Sequence, residues 1–320
     1  MLILVLNSGS SSIKFQLLDM PSGELRCSGL VERIGSPNAR FYLKTKDAEV
    51  DIKKGLADHK KGLAVIADSL MDPKLYLLQA GEQIRGVGHR VVHGGKVYSA
   101  TVRVNKAVKD KIKELASLAP LHNPNNLLGI EVSEELFPEA TQVAVFDTAF
   151  HQSIPEKAHR YAIPNLFYDK YGIRVYGFHG TSHKYVSEQV AEYLGKIPSR
   201  MITIHLGNGC SITAVKDGKS IDHSLGFGPS NGLIMGTRSG DIDHSLIFYL
   251  IEELGYSAKE VNQILVGESG MYGLTGFKDL RDIQKAAAKG DRKSLLALDM
   301  MNYRIQKFIG AYAAIMNGLD

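Results

Sequence analysis

The apolar positions of this chain fall into short runs broken by Gly/Ser/Asn turns at two places, and into helical spacing elsewhere. Leu2–Leu6 is a continuous apolar run of strand length, followed by the polar turn Asn7–Ser12. Ile13–Asp19 reads as a second strand, and Pro21-Ser22-Gly23 turns into a third over Glu24–Val31. A helix is predicted to start after Asp58 and to run to about Met71, and Ile84–Val92 reads as a strand ending at Gly94-Gly95. Asn105 is placed to cap a helix reaching Ser117. Asn123-Pro124 opens another, since proline is tolerated in the first helical turn. Thr141–Phe146 is a strand that ends in Asp147.

A similar opening then recurs. Arg200–Leu206 reads as a strand, Gly207-Asn208-Gly209 as a glycine turn, and Ser211–Lys216 as a strand. Asp217-Gly218 is a strong two-residue hairpin signal leading into Lys219–Ser224. From Asp243 onward the pattern is mostly helical, with an apolar face through Leu296, Met300, Ile305, Phe308, Ile309 and Tyr312 near the end. Strand, turn, strand, tight turn, strand thus occurs twice. The duplicated unit is domain-sized and places a boundary near Asp147–Pro155, giving an α/β chain with domains at 1–148 and 149–320. The length of 320 residues independently favours two domains, because single cores stop growing near that size.

Charge narrows the partners. A net charge of +4 suits anionic small molecules and is too weak and too dispersed for nucleic acid. No stretch approaches the ~18 apolar residues that span a membrane. Two cysteines, Cys27 and Cys210, form no spaced cluster, so the expected compartment is reducing and cytoplasmic.

The chemistry concentrates at the glycine turns. In Asn7-Ser8-Gly9-Ser10-Ser11-Ser12, followed by Lys14, small residues let backbone N–H groups face an anion; Ser10 and Ser12 add hydroxyls and Lys14 a point charge. His205-Leu206-Gly207-Asn208-Gly209 supplies the same kind of surface in the second half. Either turn alone is as readily a tight β-turn. Two, each after the first strand of its half, favour gripping a polyphosphate from both sides. No Walker pattern occurs.

Asn7–Lys14 resembles the opening motif of acetate and propionate kinases. Gly88–Gly95, Phe146–His151, Gly177–His183, His205–Ser211 and Met235–Asp241 resemble that family's further motifs in order, over the whole chain. Butyrate kinases differ at Ser8, where they carry proline. The resemblance implies two duplicated actin-like (ribonuclease H-like) domains around a central cleft. It implies Mg2+-dependent, alternatively Mn2+-dependent, transfer of a phosphoryl group from ATP to acetate, giving ADP and acetyl phosphate, by a cytoplasmic homodimer. Propionate kinase is the nearest alternative; a non-catalytic actin-like ATPase or an inactive fragment is the alternative of another class. Family members also continue into a further strand, a nucleotide-holding loop and a metal-binding Glu. Residues 1–320 are therefore expected to grip phosphates but to bind ATP weakly.

Transfer to a carboxylate requires cancelling repulsion between two anions, and guanidinium groups fit both partners bidentately. The resemblance gives Arg90 and Arg238 that role, His179 a hydrogen bond to the transferring phosphoryl group, Asp147 an orienting role, and Asn7 the metal. By residue type alone the two arginines are ordinary surface residues. His179 and His183, at i and i+4, are equally polar residues at a helix start; a zinc pair lacks the Glu of H-E-x-x-H. Val92, Leu121, Phe178 and Pro229 are carried over as the alkyl pocket, with plain core packing the other reading. Asp279, Leu280 and Arg281 are carried over as adenosine contacts, with a capped helix N-terminus the other.

Overall fold

The computed structural model describes residues 1–120 and 122–320. They form two compact units, Met1–Ala149 and Phe150–Asp320. No helix among the described residues is long and apolar enough to cross a membrane.

The first unit is built on one mixed sheet of order β5-β4-β3-β2-β1-β6-β8-β7. Its strands are β1 (Leu2–Ser8), β2 (Ser12–Asp19), β3 (Glu24–Glu32), β4 (Arg40–Thr45), β5 (Glu49–Lys53), β6 (Ile84–Val91), β7 (Val102–Arg103) and β8 (Thr141–Phe146). Alternation decides what each face sees. Leu2, Leu4 and Leu6 of β1, Ile13, Phe15 and Leu17 of β2, and Phe41 and Leu43 of β4 point into one core. Helices α1 (His59–Met71) and α3 (Asn123–Leu136) cover that face, while α2 (Lys106–Glu114) packs beside α3. Fully burying a Leu or Phe side chain is worth ~1.5–3 kcal/mol, so this stripe holds the sheet to its helices. Asp58 and Asn105 cap α1 and α2 as the sequence predicts, accepting from Lys61 N and Val108 N at 2.8 and 3.0 Å.

Register places the chemistry. β1 pairs antiparallel with β2 so that Asn7 stands opposite Lys14, and parallel with β6 so that Leu6 stands opposite His89. β6 pairs parallel with β8, Val91 opposite Phe146. Asn7, Arg90 and Asp147 therefore sit together at the carboxyl ends of three parallel strands, where open α/β sheets bind ligands.

The second unit carries the three-stranded sheet β11-β10-β9, formed by β9 (Arg200–Leu206), β10 (Cys210–Lys216) and β11 (Lys219–His223). Asp217 and Gly218 both have positive φ, +49° and +74°, the type I′ geometry that matches strand twist. The helices are α4 (Glu156–His159), α5 (Asn165–Asp169), α6 (Gly180–Leu194), α7 (Ser245–Glu252), α8 (Ala258–Gly267), α9 (Gly270–Thr275), α10 (Leu280–Ala288) and α11 (Arg292–Met316).

Two expectations need correction. β4, β5 and α6 are elements that the hydrophobic pattern did not single out. The face expected along α11 is offset: Leu296 and Met300 are exposed, Ile305, Phe308 and Ile309 half-buried, and only Tyr312 is fully buried. The helix packs instead through Ser294, Ala297, Tyr312 and Met316, so small residues set its closest approach.

Candidate active site

In the first unit the Arg90 guanidinium is fixed by Asp147. Arg90 Nε donates to both carboxylate oxygens at 3.0 and 3.1 Å, and Nη2 donates to Oδ2 at 2.5 Å. The Asp147 side chain is 2% exposed and that of Arg90 38% exposed, so the carboxylate is sunk and the guanidinium keeps an open edge. The Asp147 charge raises the Arg90 pKa further.

Two asparagines on the first turn of α3 tie this corner together. Asn126 accepts from Val92 N at 3.0 Å and donates to Ser8 O at 2.7 Å; Asn123 accepts from His93 N and donates to its carbonyl. His59 Nε2 holds the first hairpin through Gly9 O at 2.7 Å. The sequence marked Asn123 only as a helix opener. The available signal was the N-x-x-N spacing, which puts both amides on one face of the first turn. Asn7, half-buried, and Lys14, exposed, line a sheet-face cavity of about 460 Å³. Ser10 is exposed and Ser12 half-buried, beside the Gly9 turn. Val92 is buried, with its backbone held by Asn126.

In the second unit the Gly207-Asn208-Gly209 turn is the centre. Gly207 N donates to Gly209 O, and Gly236 N donates to Asn208 O at 3.0 Å. A Cβ on Gly236 would meet Asn208 Oδ1 at 2.1 Å and the Asn208 carbonyl oxygen at 3.3 Å, so a side chain there would displace the Asn208 amide. A Cβ on Gly209 would lie 3.2 Å from His179 Nε2 and 3.4 Å from Arg238 Nη1, so imidazole and guanidinium both face the turn. Arg238 has no acidic partner among the described residues; its Nη1 donates to Pro229 O at 3.0 Å, and burial lowers its pKa. A cationic group left without a carboxylate beside a glycine turn is an anion site in waiting.

His179 has φ +57°, uncommon for a residue with a side chain, at the start of α6. Its ring stacks on His205, centroids 4.3 Å apart. Both His183 nitrogens pair with hydroxyls, Thr203 Oγ1 and Ser211 Oγ, each at 2.7 Å. Phe178 is fully buried, and its carbonyl pairs with His151 Nε2. Leu121 lies outside the described residues.

Behind the turn opens a cavity of about 340 Å³, lined by Leu206, Gly207 and Asn208 on one side, Ile234 and Met235 on another, and Asp279 and Leu280 at the start of α10. Arg281 does not line it. Its guanidinium turns back to Asp279, at 2.5 Å, and holds that carboxyl below the usual carboxylate range, while Asp279 caps α10 through Arg281 N. Asp279 thus both caps α10 and lines the cavity.

Burial keeps several histidines neutral: His183 falls to about 2, His93 to about 4, and His223 well below its ordinary value, each chiefly through loss of water. Such a group binds no proton in the folded chain at pH 5 but does when unfolded. The contribution of each is nearly complete above about pH 7 and is lost as pH drops, by roughly 1.5 kcal/mol for His183 or His93 between pH 6.5 and 5. Urea midpoints at pH 7, 6 and 5 are expected to fall steadily; a flat profile would contradict the burial of these imidazoles.

Residues 2–320 match the sequence profile of the Acetokinase family. The chain is 57% identical to the acetate kinase of Flavobacterium johnsoniae over 320 residues, covering 100% of this chain and 81% of that one. Its structure is similar to that of Porphyromonas gingivalis acetate kinase, with TM-score 0.94 and 44% identity, covering 100% of this chain and 81% of the other. It is likewise similar to a Francisella tularensis propionate kinase, with TM-score 0.95 and 44% identity, covering 100% and 82%.

Proposed function

The chain belongs to the acetokinase family, and from that premise we propose how its residues move the γ-phosphoryl group of ATP to acetate, giving acetyl phosphate and ADP. The chain is a phosphotransferase with a carboxylate acceptor, of duplicated actin-like α/β fold. What supports the residue roles best is the placement of His179 and Arg238 against the Gly207–Gly209 turn, where Arg238 has no acidic partner among the described residues.

Acetate is already ionised at neutral pH, so the attacking oxygen needs no base. Its obstacle is charge. Arg90, with an edge open beyond Asp147, takes the acetate carboxylate; Asp147 aims the guanidinium rather than moving a proton. The acetate oxygen forms its bond to Pγ as the bond from Pγ to the bridging oxygen of ADP breaks, and ADP leaves with that electron pair. Arg238 and His179 donate to the phosphoryl oxygens, where charge gathers in the transition state. In this reading the Gly207–Gly209 turn holds the polyphosphate through N–H groups other than that of Gly207, which is taken by Gly209 O, and Ser10, Ser12 and Lys14 are further phosphate donors. The apolar wall of Leu206, Ile234, Met235 and Leu280 accepts the adenine ring, with Asp279 at its edge.

The side-chain oxygen of Asn7 is a hard donor of the kind Mg2+ accepts, and Mg2+ keeps most of its ligands as water and nucleotide phosphate, so one protein oxygen fits. When bound, the cation supplies neutralisation of phosphate charge. Residence in the cytoplasm and assembly as a homodimer complete the reading; light scattering tests the latter.

Val92, Leu121, Phe178 and Pro229 contact the acyl chain in this reading. One methylene in such a pocket is worth ~1–3 kcal/mol, so propionate reacts with a modest penalty. Val92→Ala is expected to narrow or reverse the preference for acetate in a coupled assay of ADP release. An unchanged propionate-to-acetate ratio would assign Val92 to core packing alone.

A further inference from the structure

His179 is the last member of a hydrogen-bond chain whose direction follows from proton counting. His179 Nδ1 pairs with Ser211 Oγ at 2.8 Å, Ser211 Oγ with His183 Nε2 at 2.7 Å, and His183 Nδ1 with Thr203 Oγ1 at 2.7 Å. Ser211, His183 and Thr203 are all buried, at 0%, 1% and 4% exposure, so bulk solvent does not reach their polar atoms. His183 is neutral, as its burial demands, and therefore carries one N–H.

Three arrangements exist; in one, His179 Nδ1–H and His183 Nε2–H both donate to Ser211 Oγ, whose own buried proton is then left without an acceptor, since those two imidazoles are its side-chain partners among the described residues. Running toward Thr203, His179 Nδ1–H donates to Ser211, Ser211 to His183 Nε2, and His183 Nδ1–H to Thr203. The Thr203 hydroxyl proton is then buried without an acceptor, since His183 is its one side-chain partner among the described residues. Running from Thr203, its hydroxyl donates to His183 Nδ1, His183 Nε2–H donates to Ser211, and Ser211 donates to His179 Nδ1. Every proton in the chain then has an acceptor, and buried polar groups are satisfied wherever a fold permits. With Nδ1 occupied as an acceptor, the His179 proton lies on Nε2, the atom that faces Gly209.

We propose that Thr203, His183 and Ser211 are positioning residues that fix His179 as its Nε2–H tautomer, so that it presents a hydrogen-bond donor to the transferring phosphoryl group. This rests on the reading of His179 as a phosphoryl contact. The alternative tautomer would present a lone pair to phosphoryl oxygens and repel them. Two further features fix the ring: the stack against His205, whose own Nδ1 pairs with Ser182 Oγ at 2.9 Å, and the left-handed backbone of His179, which surrounding contacts must hold. Gly177 supports the same corner. It has φ +73°, and a Cβ there would strike the His151 ring at 2.7 Å.

The test reads the tautomer directly and the rate separately. Long-range proton–nitrogen correlation on the 15N-histidine-labelled chain, with His179 assigned by its disappearance in His179→Ala, is expected to show a protonated Nε2 and a bare Nδ1. A protonated Nδ1 overturns the proposal without reference to activity. Thr203→Val keeps the shape and removes the first proton of the chain. It is expected to move His179 toward the Nδ1–H form and to lower kcat about fivefold to tenfold, the worth of one ordinary hydrogen bond, with KM for acetate changed less than about twofold. Thr203→Ser is expected to retain both tautomer and rate. An unchanged tautomer in folded Thr203→Val breaks the chain. Should that variant not fold, Ser211→Ala severs the link next to His179 and must give the same two changes. The Nε2–H tautomer together with undiminished kcat in His179→Ala would leave the chain intact and remove His179 from phosphoryl transfer.

Discussion

Arg238→Ala is expected to lower kcat by ~10²–10³ with a much smaller change in KM for acetate, the loss seen when one preorganised donor to a transition-state oxyanion is removed. The size follows from the surroundings. The guanidinium is half-buried, has no acidic partner among the described residues, and is aimed at the Gly207–Gly209 turn from the Pro229 carbonyl. Its charge is thus held unneutralised, and burial even depresses its pKa, so an incoming anion provides the interaction the protein withholds. Arg238→Lys is expected to fail nearly as badly, because a point charge does not reproduce a planar fork. A near-wild-type kcat/KM in Arg238→Ala would remove this residue from the reaction.

Arg90→Ala is expected to be equally severe in kcat/KM, by ~10²–10³, but with a larger share in KM for acetate, since this guanidinium meets the ground-state carboxylate too. It carries a second cost. Removing Arg90 leaves Asp147 buried without the charge that compensates it, and breaking a buried pair from one side costs ~3–5 kcal/mol. Since the Arg90 side chain is 38% exposed, solvent softens that figure and the lower end applies. Thermal unfolding and kinetics together separate the two costs. Asp147→Asn keeps the shape and weakens the aim, and is expected to lose activity at a smaller cost in stability than Arg90→Ala, because the guanidinium it leaves uncompensated has an edge open to water. Full activity in Asp147→Asn would show that the pairing does not orient Arg90.

How far the sequence foretold this arrangement depended on whether a residue's role is local. Asn7 opposite Lys14 follows from alternation across a hairpin, and Asp217-Gly218 from the positive φ both residues must adopt. The caps at Asp58 and Asn105 are equally local. β5 escaped notice because it is an edge strand, Glu-Val-Asp-Ile-Lys, with four of its five residues exposed and hence no apolar face to read. Asn126 and His59 escaped because their bonds reach 118 and 50 residues back along the chain to the first hairpin, and no local pattern carries that information. The apolar stripe of α11 misled for a related reason: hydrophobic spacing identifies a face, but Ser294 and Ala297 decide which one approaches the core. Arg281 sits in a segment that does line the cavity, yet an acidic neighbour two residues earlier captures its guanidinium.

The measurement closest to the central claim is the stoichiometry of ADP released to acetyl phosphate formed, the latter trapped by hydroxylamine as the hydroxamate, with and without acetate. Carboxylate phosphotransfer predicts ADP release that depends on acetate and matches the hydroxamate one for one. ADP released at the same rate without acetate, with no hydroxamate, would contradict it and mark the chain as a nucleotide hydrolase.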